Sequence, residues 1–184
     1  MGKMTKTPGP AMKAFNAFVR GMDTNVAKVG FFPSAKYPDG TPIAYVAAIQ
    51  EYGVPGRSLP ARPFFRPTMD ANENEWQRTF GILSTRVVQG LMTPKEALEA
   101  IGLKASGDVR YTIKQIQDPP LSKVTLLARK FKKQGGKLSG RIIAVLAANV
   151  AENPNIDVSG VSDKPLNDTG ALLAHLTYVV EPSE

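Results

Sequence analysis

The chain has 184 residues, 42% of them hydrophobic, with a net charge of +7, one histidine and no cysteine. That is enough chain for one domain, residues 1–184, with a buried core, and it excludes disulfides and a thiolate metal site; His175 alone cannot build a zinc site. No apolar run approaches the roughly 18 residues of a membrane span and the N-terminus lacks a signal peptide's apolar core, so a soluble protein, cytoplasmic when made, is expected.

Residues 1–10 are basic and carry Pro8, Gly9 and Pro10, which predicts a mobile arm. Met12, Phe15, Val19 and Met22 then recur at helical spacing. Residues 25–32 read as a strand, and Pro38-Asp39-Gly40 as a turn. Thr41 supplies a cap, Pro42 a first helical residue and Gly53 a left-handed stop. Between them Ile43, Val46 and Ala47 form one apolar face, and Tyr45, Ala48, Ile49 and Tyr52 a second, so this short helix is expected to be largely buried. Pro55, Gly56, Pro60, Pro63 and Pro67 predict extended chain next, carrying Phe64 and Phe65 between Arg62 and Arg66. Strand alternation sends one of the two rings into the core and the other outward; Phe65 is taken as the outward one.

Met69, Asn72, Trp76, Phe80, Leu83 and Val87 predict a long helix with Trp76 as its core anchor. Thr93 to Glu96 has the form of a capping box. The row Leu98, Ile101, Ala105, Val109, Thr112 and Ile116 predicts one long helix, with a break near Gly107 as the alternative and Pro119-Pro120 as the end. Lys123, Arg129, Lys130, Lys132, Lys133, Lys137 and Arg141 then gather around Gly135-Gly136. They read either as a solvated loop or as a basic finger against phosphate backbone, with Lys132, Lys133 and Lys137 as the DNA contacts. Residues 141–151 form a compact apolar helix that needs a partner, and 155–164 a polar linker. Asp168 or Thr169 caps a helix through Leu172, Leu173 and Leu176, before 177–180 turns to strand. The fold class expected is α+β: a small antiparallel or mixed sheet, built from 25–32, the Phe64 segment and the late strand, packed against the short buried helix and one or two long helices.

AYVAAIQEYG (44–53) followed by LPARPFFRP (59–67), with YPDGT (37–41) upstream and PLNDTGALLAHLTY (165–178) downstream, resembles the neck, tail-completion and minor tail proteins of long-tailed bacteriophages. The resemblance covers most of 35–130 and 164–180, and leaves the N-terminal arm and an insertion, 131–163, outside it. It implies a virion protein that joins the DNA-filled head to the tail, made in the host cytoplasm. Such a subunit forms a ring of six- or twelve-fold symmetry between connector or head-completion proteins and tail terminator or tail tube proteins. DNA passes through that ring with non-specific contact at most, and no membrane is involved. Tyr52, Arg62, Phe64, Phe65 and Arg66 are the candidate subunit or partner contacts.

Signatures of chemistry are missing: no Gly-rich phosphate loop, no His-x-Glu metal pair and no nucleophile elbow. Glu51, Glu73 and Glu75 read as helix-surface or salt-bridge groups. No catalytic residue, cofactor or metal is expected. Asp168-Thr169-Gly170-Ala171 matches the retroviral-type aspartic protease signature, but Lys164-Pro165-Leu166-Asn167 is a poor strand before it and too little chain follows for a barrel. The principal alternative to the neck protein is a free-standing basic nucleic-acid-binding protein.

Overall fold

Helix α4 carries the sheet on one side and a second long helix on another. The computed structural model describes residues 9–56, 59–166 and 170–183. Most of the predicted basic arm, the side chain of Met22, and Asp168 and Thr169 with their predicted cap lie outside the described residues. In chain order the elements are α1 (Pro10–Thr24), β1 (Asn25–Gly30), α2 (Ile43–Tyr52), α3 (Phe65–Val88), α4 (Pro94–Gln115), α5 (Lys123–Lys133), α6 (Gly140–Glu152), α7 (Ala171–His175) and β2 (Thr177–Pro182). Seven helices and one small sheet among the described residues make the fold α+β.

The predicted capping box starts α4. Thr93 Oγ1 accepts the Glu96 N–H at 3.2 Å, and the Glu96 carboxylate accepts the Thr93 N–H at 2.6 Å. The helix runs past Gly107 without a break. Leu98, Gly102, Ser106, Val109 and Ile113 step along its buried face by three and four residues. On that side lies the sheet, β1 and β2 antiparallel, with Asn25 opposite Pro182 and Gly30 opposite Thr177. Gly102 makes the close approach possible: a Cβ there would sit 2.8 Å from Cδ2 of Tyr178.

Helix α3 runs beside α4, joined across the surface by Lys104, whose ammonium lies 2.8 Å from Glu75 and 3.6 Å from Asp108. The core gathers where α2, α4 and α7 meet, from Ile43, Ala47, Phe64, Val109, Ile113, Leu166, Leu172 and Leu176. Phe31, just after β1, closes it, its ring edge-on to Phe64 at 6.3 Å and to Phe65 at 6.2 Å.

Several expectations are corrected. The segment around Phe64 is not a strand, and the sheet has two strands rather than three. Pro67 does not delay the next helix, because α3 already begins at Phe65. In a first turn the N–H groups have no helical partner, so a proline there loses no bond. Helix α2 is not largely buried: Ile43, Ala47 and Glu51, four residues apart, form one buried row, while Tyr45 and Tyr52 are exposed. Its N-cap is Pro42 and not Thr41, whose own N–H is held by Asp39 Oδ1 at 3.0 Å in the preceding turn. Trp76 is half-buried rather than a core anchor, since its indole N–H reaches out to Asp108 at 2.7 Å. The basic run is neither loop nor finger over most of its length but helix α5, capped by Ser122 and seated on Leu127 and Ala128.

Candidate functional site

The organising group of the motif region is Glu51, the last buried residue of α2. Chain reversal after Gly53 brings 62–66 back alongside α2, with the Arg62 N–H donating to the Gln50 carbonyl at 2.6 Å. Gly53 has φ 70°, and a Cβ on it would meet the Ala61 nitrogen at 2.7 Å. The Glu51 carboxylate then accepts the N–H groups of Phe64 (2.7 Å), Phe65 (2.9 Å) and Arg66 (3.2 Å). It also accepts the Arg66 Nε–H at 3.0 Å. A carboxylate from one helix thus caps the N-terminus of the next, where orphan donors and the helix dipole both favour negative charge. Burial pushes its pKa up, but these donors outweigh burial and hold it below the ordinary carboxylate value. Glu51 is therefore a buried salt-bridge group and not a helix-surface one.

This geometry separates the five predicted contact residues. Phe64 is fully buried in the core. Arg62 is 6% exposed, and its guanidinium donates to the carbonyls of Pro119 (2.8 Å) and Pro120 (3.2 Å), pinning the chain between α4 and α5. Burial, and the neighbouring guanidinium of Arg129, push its pKa down. Both side chains are spent on contacts inside the subunit. Tyr52, Arg66 and Phe65 remain at the surface. The Arg66 guanidinium sits over the exposed Tyr52 ring at 5.0 Å and donates to the Glu51 carbonyl at 3.0 Å. Phe65, half-buried, forms with Ala27, Val29, Met69, Trp76 and Val109 much of the wall of an open apolar concavity of about 270 Å³ between β1, α3 and α4.

The basic segment acts largely within the chain. Lys123 donates to the Pro154 carbonyl, Lys130 to Asp157 Oδ2 at 2.8 Å, and Lys133 to the Gly160 carbonyl at 2.9 Å. Arg129 donates to the carbonyls of Ser162 (2.7 Å), Lys164 (3.0 Å) and Pro165 (3.3 Å). One row of cations on α5 thus fastens the strap 153–165 along the helix. Lys132, Lys133 and Lys137, the proposed DNA contacts, are exposed at the end of α5 and in the turn to α6, with Lys133 already engaged by the strap.

Two features are not legible from sequence. The concavity depends on the relative placing of three elements that no local pattern records. The exposed carboxylates of Asp70 and Glu73, on the same helix as Phe65, Met69 and Trp76, read in the sequence as an ordinary solvated helix face. Among the described residues no group of three or more His, Asp or Glu side chains could hold a metal ion, and no helix is long and apolar enough to cross a membrane. Compared with protein-family models, with curated proteins and with solved structures, the chain matches none.

Proposed function

We propose that this chain is a structural subunit of the head–tail junction of a long-tailed phage, assembling into a ring that joins connector to tail and leaves a passage for DNA. The observation that carries this reading is α6. It has thirteen residues, none of them buried, and only Arg141 and Glu152 bear charge. Within the chain it packs on α5, while Ile143 and Val145 remain 38% and 51% exposed. A helix charged only at its two ends, with that much apolar surface, is stable in water as part of a larger assembly. Exposed Met12, Phe15 and Val19 on α1 add a second apolar face. The motif blocks agree with a mechanical role, because their most buried groups, Glu51, Arg62 and Phe64, brace the subunit.

The direct test is negative-stain electron microscopy of the purified protein, alone and with connector particles, together with immunogold labelling of virions. Rings with a central channel, and label at the neck, are expected. A monomer that forms no ring with connector particles and is absent from virions overturns the reading.

A further inference from the structure

The largely exposed helix α6 and the open concavity belong to the same chain and match in two respects. The first is polarity. From Ile142 to Ala151 α6 carries no charge; its row Ile142, Leu146 and Val150 is half-buried, and Ile143, Ala144 and Val145 face outward. The concavity is walled by apolar side chains, with Met69 on its rim 53% exposed. Its volume of about 270 Å³ exceeds several times the roughly 30 Å³ share of a liquid water molecule, so it admits aliphatic side chains rather than a lone solvent molecule.

The second is charge. Helix α6 leaves a turn bearing exposed Lys137 and Arg141. The concavity is bordered by the first half of α3, where Asp70 and Glu73 are exposed, while Glu75 is paired with Lys104 of α4 at 2.8 Å. Positive charge thus lies at the start of the knob and negative charge on the α3 side of the hole, an arrangement that steers and registers association.

We propose that α6 of one copy of this chain docks into the β1–α3–α4 concavity of a second copy, with Lys137 and Arg141 against Asp70 and Glu73. The contact is heterologous, joining two different patches, and so leaves each dimer with one knob and one hole unused. Repetition closes into a ring when the rotation per subunit allows it. Closure rests on the ring reading above; the contact itself does not.

The native chain has no cysteine, so single cysteines report the contact directly. Val145→Cys and Met69→Cys both fall at exposed positions and leave the monomer fold intact. Under mild oxidation the mixture of the two variants is expected to give a disulfide-linked dimer, and neither variant alone should. Cross-linking of Val145→Cys with itself would show α6 pairing with α6 and overturn the proposal, as would the absence of a dimer in the mixture. A second arm uses charge. Lys137→Glu with Arg141→Glu should weaken self-association on the order of tenfold in low salt, and mixing with Asp70→Lys/Glu73→Lys should restore it. If the parent assembles and none of these variants changes the assembly, the contact is refuted while the ring reading stands. If the parent remains monomeric in every arm, the contact is refuted and the ring reading is decided by the connector and virion experiments.

Discussion

Replacing Glu51 by Gln tests the bracing role assigned to the motif. The substitution keeps the size of the side chain but removes its charge and turns one acceptor oxygen into a donor. One of the three N–H groups now on the carboxylate is then left facing an amide N–H, and the Arg66 guanidinium loses its ionic partner. A buried donor left unsatisfied costs about 1–3 kcal/mol, and a hydrogen bond to a charged group contributes about 1.5–3 kcal/mol. With both effects softened by relaxation at the helix start, the expected cost is about 3 kcal/mol. At about 2–4 °C per kcal/mol for a chain of this size, that lowers Tm by about 6–12 °C. The acid limb carries a second signature. Because the folded carboxyl titrates below its ordinary value of 4.5, its contribution is complete above that pH and is lost as pH falls through the folded value. The parent should therefore lose more stability than Glu51→Gln between neutral and acid pH, and their melting temperatures should converge. Differential scanning calorimetry at several pH values measures both. A Tm within about 2 °C of the parent at neutral pH, with parallel acid limbs, would refute the capping role.

Glycine positions give a matched pair: Gly53→Ala combines positive φ with a backbone clash and should cost about 2–4 kcal/mol, whereas Gly81→Ala, mid-helix with open space at its Cβ, should stabilise by up to about 1 kcal/mol. Urea unfolding of both checks the chain reversal after α2. Half-buried Trp76 predicts a smaller effect than a core anchor: Trp76→Ala should cost about 2–3 kcal/mol and Trp76→Phe, which loses the bond to Asp108, about 1 kcal/mol, also read by urea unfolding. For DNA, changing Lys132, Lys133 and Lys137 to Gln should reduce the slope of log affinity against log salt by about 0.9 for every phosphate no longer neutralised, and an unchanged slope would remove these lysines from the channel.

What the sequence made legible follows from how local each signal is. The capping box at Thr93 and Glu96 was readable because it spans four residues, and the phase of α4 because one face repeats along the whole helix. Pro67 misled because the rule against proline applies to helix interiors, while residues 65–67 are a first turn whose cap comes from Glu51, a residue in another helix. Nothing near Phe65 announces that cap. Lys123, Arg129, Lys130 and Lys133 read as loop charge because the groups they engage are mostly strap carbonyls far along the chain, and a carbonyl has no residue type to recognise. Ser122 and the pair Leu127-Ala128 carried the missed helix signal in their place.

The split between Phe64 and Phe65 also changes what the resembling motif can mean. Its strongest residues, Glu51, Arg62 and Phe64, have their functional atoms or rings turned inward, so their removal acts first on folding. Phe64→Ala leaves a cavity in the core and should lower soluble yield whatever the protein assembles with. On the proposed reading, assembly depends on side chains the subunit does not need for itself. By exposure these include Tyr45, Tyr52 and Leu59 inside the AYVAAIQEYG and LPARPFFRP blocks, and Met69, Ile143 and Val145 outside them. Helix α6 lies outside every resembling block. On the proposed reading, such a chain carries its bracing in the motif and part of its contact surface in α6.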